Sequence, residues 1–196
     1  MANANNPFGF RWTRNLSGGA PTFQLFTAYI LASYSTAIFR GDVVVWSSGY
    51  INQATPGTTT IAGIFDGCEY QSVSLKQPRW SPYWPGSDAP SGGTVKCYII
   101  TDPYAVFSVQ TDGTSAVGVA ATDQNANFVA GAGGNTANGI SGQGLSHSYT
   151  TTATLPFRIV GVGGPANQWL GSDNTSPYNI VEVVFNNAML RNTTAV

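Results

Sequence analysis

The residues able to do covalent or metal chemistry are few in this chain, and their neighbours limit what they could do. The one histidine, His147, lies between Ser146 and Ser148. An imidazole beside a hydroxyl is the working part of a nucleophilic relay, in which a carboxylate orients the ring. No Gly-x-Ser-x-Gly elbow exposes a nucleophile, however, and nothing in the segment orients the imidazole, so His147 is expected to be an ordinary surface residue. Asp66 and Glu69 are three positions apart, a pairing that a glycosidase could use. With Gly67 after it, Asp66 reads more simply as a turn residue, and the two carboxylates need not face each other. Cys68 and Cys97 lack CxxC spacing and a set of histidines, which leaves zinc without ligands. They are expected to pack as small hydrophobes or to form a disulfide. Gly161-Val162-Gly163-Gly164 lacks the GxGxxG spacing and a following helix, there is no Walker lysine, and no carboxylates cluster as calcium would require. The expectation is a chain with no catalytic residue, no cofactor and no metal.

Recognition chemistry is better represented. Trp80, Tyr83 and Trp84 stand between Pro78, Pro82 and Pro85, and rings on a stiff loop lose little entropy on contact. Three readings stay open for them: anchors of a protein interface, a platform for sugar stacking, or a loop folding back to cap its own barrel. Arg11, Arg14 and Arg40 precede the first acidic residue of the chain, Asp42, and so stand unopposed locally. Their guanidinium groups could fork onto carboxylates of a partner, or simply remain solvated. Phe8, Phe10 and Trp12 share that N-terminal stretch, which completes the candidate interface of Phe8, Phe10, Arg11, Trp12, Arg14, Arg40, Trp80, Tyr83 and Trp84.

Composition sets the context for these candidates. Charged residues make up 9% of the 196, the formal net charge is -1, and aromatics reach 12%. A freely diffusing domain carries about 25% charged residues, which keep copies apart and hold water. A chain this poor in charge is expected to have its surface covered by neighbours, as in an assembly protein. The absence of a basic stripe argues against dedicated nucleic-acid binding. No run approaches the ~18 apolar residues of a membrane span, and the opening Met-Ala-Asn-Ala-Asn-Asn-Pro has no basic leader or apolar core, so neither a membrane partner nor a secretory route is expected.

The elements that must hold these residues read as strands. Asp42 to Trp46 and Gly49 to Ile51 flank a Ser-Ser-Gly turn as a hairpin. Thr58–Phe65, Thr94–Thr101, Ala105–Gln110, Leu155–Val162 and Tyr178–Phe185 follow, the last with apolar residues on both faces. Phe23, Phe26, Ile30, Tyr34 and Ile38 carry helical spacing but also strand-forming residues, and the segment is read as strand or irregular extended chain. Residues 115–148 are rich in Gly, Ala, Asn and Ser and are expected to form a surface excursion. The fold expected is all-β, a single-domain barrel or sandwich over residues 21–196 with long loops and an extended N-terminal arm over 1–20.

Read together, these segments resemble a family of tailed-phage virion proteins. The resemblance is carried by Asn6-Pro7-Phe8-Gly9-Phe10, Leu16-Ser17-Gly18-Gly19 and Ala37-Ile38-Phe39-Arg40-Gly41-Asp42-Val43-Val44. It continues through Gly63-Ile64-Phe65-Asp66-Gly67-Cys68-Glu69-Tyr70, Ser81-Pro82-Tyr83-Trp84-Pro85, Asp102-Pro103 with Phe107 and Gln110, Leu155-Pro156-Phe157-Arg158-Ile159-Val160-Gly161, and Val181-Glu182-Val183-Val184-Phe185. It spans nearly the whole chain and is weakest over 115–148. Such proteins resemble capsid decoration, or cement, proteins. The resemblance implies a non-enzymatic structural role on the outer capsid surface of a virion, made in the host cytoplasm, with the major capsid protein and further copies of the chain as partners. A receptor- or glycan-binding module of a tail appendage, or a neck component, is the alternative. Removal of the residues before Gly19 is expected, on this reading, to weaken attachment and leave the fold intact.

Overall fold

Runs of β-branched and aromatic residues bury well on a pleated surface, and in the computed structural model they become the strands of an all-β, sandwich-like arrangement of antiparallel sheets. The structure describes residues 2–163 and 172–188. The first sheet runs, in spatial order, β1 (Arg11–Asn15), β10 (Ala105–Gln110), β14 (Ile180–Phe185), β13 (Phe157–Val162), β11 (Asn125–Val129) and β12 (Gly144–Thr150). The second runs β2 (Phe26–Leu31), β9 (Thr94–Ile100), β6 (Gly63–Ser72), β4 (Val43–Ser47) and β5 (Tyr50–Gln53), with β7 (Gln77–Ser81) added to the far half of β6. A two-stranded ribbon pairs β3 (Ile38–Phe39) with β8 (Tyr83–Trp84). Among the described residues there is no α-helix, only a 3-10 turn at Val119–Ala121, and no helix is long and apolar enough to cross a membrane.

Two cores follow from strand parity. In the first, Phe107, Val109, Ile159, Val181, Val183 and Phe185 of the first sheet pack on Val43, Ile64 and Ile100 of the second and on Ile61, just before β6. In the other, the opposite face of the second sheet (Ala28 and Ile30, Val95, Cys97 and Ile99, Cys68, Val44, Ile51) closes over Ile38 and Trp84 of the ribbon. The end strands β2 and β5 lie against each other, and the Tyr34 hydroxyl accepts from Gln53 N at 2.9 Å, so this sheet curls around its core. Each fully buried aliphatic or aromatic side chain stabilises the fold by about 1.5–3 kcal/mol.

Asp42 ties the cores together. Its buried carboxylate accepts from Phe39 N (2.8 Å), Gln53 Nε2 (2.6 Å) and Ser141 Oγ (2.5 Å). Desolvation pushes its pKa above the usual carboxylate value, and those three donors oppose the shift.

The expected strands at 94–101, 105–110, 155–162 and 178–185 and the hairpin from Asp42 are present within a residue or two, and the segment from Phe23 contains a strand instead of a helix. Two expectations need correction. Residues 115–148 are a surface excursion only in part: 130–138 lie mostly exposed, but the segment also supplies β11 and most of β12, and Gln143 and Ser141 reach into the interior, Gln143 Oε1 accepting from Val43 N at 2.9 Å. Buried amides there do what apolar side chains do elsewhere. Asn179 accepts from Val117 N at 3.0 Å and donates to Val117 O at 2.9 Å.

Nor is the N-terminal stretch an arm. Asn3 donates to the carbonyls of Asp173 (2.7 Å), Ser176 (3.2 Å) and Pro177 (3.0 Å), Asn6 N donates to Gln110 Oε1 at 2.9 Å, and β1 is hydrogen-bonded to β10. Phe10 and Trp12 are buried, and Phe10 stacks on Phe157 with ring centroids 4.4 Å apart. Gly9 permits this close passage: at φ +71, a Cβ there would stand 2.6 Å from Ser141 Cβ and 2.8 Å from Gly41 O. Truncation before Gly19 would therefore remove a strand and two core rings, not a detachable tether.

Candidate functional site

Five of the residues singled out in the sequence meet at one place. Phe8, Phe10, Arg11, Trp12 and Arg40 line a cleft of about 480 Å³ together with Phe23, Leu25, Gly41, Phe65, Asp66, Ile100 and Ile140. Its floor is the first core and its rim is amphipathic. Phe10 and Trp12 belong to the floor, so they shape the cleft from within instead of standing out as anchors. Phe23 forms one lip, 68% exposed, with its ring tilted across Trp12 at 5.7 Å and its backbone at φ +51, outside the ordinary range for a bulky residue. Phe8 is half-buried, and Ile140 adds an exposed apolar edge.

The arginines divide into three situations. Arg14 is opposed after all: its guanidinium forks onto the carboxylate of buried Glu182, Nε to Oε1 at 3.2 Å and Nη2 to Oε2 at 2.5 Å, and this pairing raises the arginine pKa further. Arg40 is opposed by Asp66, Nε to Oδ1 at 2.8 Å. Asp66 is the extra residue of a β-bulge in β6, between Phe65 opposite Ile99 and Gly67 opposite Tyr98, and the bulge aims it at the cleft. Arg11 is exposed and makes no ion pair among the described residues. The expectation of three unopposed arginines thus holds for Arg11 alone.

The aromatic trio does not form one cluster. Trp84 is fully buried in the second core, its Nε1 donating to Tyr34 O at 2.9 Å and its ring edge-on to Tyr70 at 5.3 Å, so it is no interface anchor. Tyr83 stacks on Phe39 at 5.3 Å and 7°. Only Trp80 projects to solvent, on the outer face of β7, where its indole lies over Gly67. The trio splits because strand alternation sends Trp80 and Ser81 to opposite faces and β8 then enters the ribbon.

His147 corrects the sequence reading in geometry. Its Nδ1 lies 2.8 Å from Asp112 Oδ1, and Ser148 Oγ lies 3.3 Å from Nε2, the order carboxylate, imidazole, hydroxyl. Asp112 is 35 residues away in sequence and comes alongside because Asp112 N donates to Leu145 O at 2.9 Å. Ser146 takes no part, accepting only from Ser148 N at 3.2 Å. The hydroxyl is exposed on β12, and none of the three residues lines the cleft. Asp66 and Glu69 do not face each other: one pairs with Arg40, the other with Lys96 and Tyr98. Among the described residues no three His, Cys, Asp or Glu side chains come together to hold a metal ion, and Gly164 of the glycine run lies outside them.

Cys68 and Cys97 face each other across β6 and β9 as free, buried thiols, each pushed up to about 12 by burial. They pack as small hydrophobes.

Sequence reasoning missed Phe23, Leu25 and Ile140. The available signal was weak, because exposed apolar residues in glycine- and threonine-rich segments look like ordinary loop residues until the fold gathers them. Comparison with known protein families, with curated protein sequences and with solved structures returned no match.

Proposed function

We propose that this chain is a non-enzymatic virion structural protein that decorates and stabilises the outer surface of a tailed-phage capsid, made in the host cytoplasm and held by contacts to the major capsid protein and to its own copies. The observation that carries the reading is the cleft between Phe23, Ile140 and Arg11: an apolar trough with an unmatched guanidinium at its mouth, on a surface with few charges to keep neighbours away. Its occupant is an extended segment of the capsid subunit carrying an acidic residue next to an apolar one. The carboxylate meets Arg11 and the apolar side chain covers Phe23, while the hydroxyl- and amide-rich surface around the cleft desolvates at lower cost than ionic groups would. Many such modest contacts, repeated over a shell, add up to firm attachment.

Arg11→Glu tests the reading. The side chain is exposed, so thermal stability should stay within about 0.5 kcal/mol of the parent. Occupancy on purified heads lacking the protein should fall by at least about tenfold, since reversing a charge at a paired position costs several kcal/mol. Unchanged occupancy would overturn the assignment of the cleft.

A further inference from the structure

On the same face of the second sheet as Ile100, but further along the strands, register places four side chains in one row across four strands: Tyr29 on β2, Lys96 on β9, Glu69 on β6 and Trp80 on β7. The two aromatic ends are exposed, Tyr29 by 49% and Trp80 by 55%, and with adjacent strands about 4.8 Å apart the backbones that carry them are separated by about 14 Å. Trp80 is held flat because β6 has a glycine beneath it: a Cβ on Gly67 would come 3.0 Å from the indole Cζ2. Between the rings, Glu69 Oε2 accepts from Tyr98 Oη at 2.7 Å and from Lys96 Nζ at 3.4 Å, and Lys96 Nζ sits 5.0 Å from the Tyr98 ring centre. No described residue donates to Glu69 Oε1. The result is a shallow depression with a stacking ring, a fixed carboxylate with one oxygen open, and an ammonium group with protons to spare.

We propose that this row is a binding site for a neutral oligosaccharide built of pyranose rings. A pyranose offers an apolar C–H face and a rim of hydroxyls, and the row supplies the complement of each. The indole takes the face, Glu69 Oε1 accepts from a hydroxyl, and Lys96 donates to a ring or hydroxyl oxygen. Lys96 and Glu69 cancel each other's charge, and Arg79, which also borders the depression, alternates to the other face of β7 opposite Tyr70, so the row itself suits an uncharged ligand. The distance from Trp80 to Tyr29 requires more than one sugar, so affinity should grow with chain length until both rings are covered. This inference does not rest on the cleft at Arg11, which shares no lining residue with the row.

The test titrates the full chain with hexasaccharides of glucose, galactose and N-acetylglucosamine, with the matching monosaccharides, and with an acidic galacturonate hexamer, following tryptophan fluorescence and ligand-observed NMR. At least one neutral hexasaccharide should bind saturably, and more tightly than its monosaccharide. Trp80→Ala should weaken it by at least about tenfold, Glu69→Gln by a smaller factor, and Tyr29→Ala should erase the preference for the longer chain. Trp80→Phe, which keeps a ring, should restore part of the binding and guards against a folding artefact in the alanine variant. No saturable response to any neutral hexasaccharide overturns the proposal, as does binding of the acidic hexamer alone, binding indifferent to Trp80→Ala, or a Trp80→Ala effect confined to self-association.

Discussion

Replacing Phe10 by alanine distinguishes a structural N-terminus from a free arm. The ring is 2% exposed, stacks on Phe157 at 4.4 Å and 15°, and belongs to the core shared by the two sheets. Truncating a buried Phe leaves a cavity that surrounding strands fill only in part, at a cost of about 3–5 kcal/mol. For a chain of this size each kcal/mol moves the midpoint by roughly 2–4 °C, so Tm should fall by about 6–20 °C. A side chain on a mobile arm would change stability by less than about 0.5 kcal/mol. Thermal unfolding followed by circular dichroism, with urea titration to convert the shift into free energy, reads the difference directly. Phe8→Ala is the internal comparison: that ring is half-buried at the cleft, and its loss should be clearly the smaller. A fall of under about 2 °C for Phe10→Ala would refute the docking of β1 and restore the arm.

Two further outcomes follow from buried ionisable groups. Burial raises the pKa of Asp42 above its unfolded value of about 3.9, so the folded state binds that proton more tightly. Its contribution to stability is full below the unfolded pKa and is lost as pH rises through the folded one. The unfolding free energy of the parent minus that of Asp42→Asn should therefore decline from about pH 4 toward neutrality in urea titrations, and a flat difference would contradict the shift. The lowered pKa values of Asp88 and Asp173 act in the opposite sense but cancel in this difference. With Cys68 and Cys97 both pushed up to about 12, a thiol reagent at mildly alkaline pH should label both together and only as the protein unfolds, whereas labelling of either in the native state would show the pair to be accessible.

The strands carrying most of the core were legible because their apolar residues alternate or run continuously, as in Val183, Val184 and Phe185. Two regions were misread for one reason: polar composition was equated with exposure. In residues 3–6 and 115–148, Asn and Gln side chains satisfy buried backbone groups, and such bonds leave no periodic signature. Phe10 and Trp12, two positions apart, were the strand signal inside the asparagine-rich beginning. Residue types could nominate Arg14, Arg40 and His147 but not their partners. Glu182 lies 168 positions from Arg14 and Asp112 lies 35 from His147, and only the order of strands brings them together. Trp84 was misassigned because a proline-flanked aromatic looks the same on either face of a short ribbon.

The bulge at Asp66 separates what the long strand needs from what the cleft needs. Ladder register is regular on both sides of it, with Phe65 and Cys68 facing inward, so excising this single position would simply join two halves that already agree. Shortening a strand by one usually turns its remaining side chains inside out. Here it would leave the weave undisturbed while stripping the cleft of the sole carboxylate among its lining residues and freeing Arg40, an edit that alters the binding face and spares the scaffold.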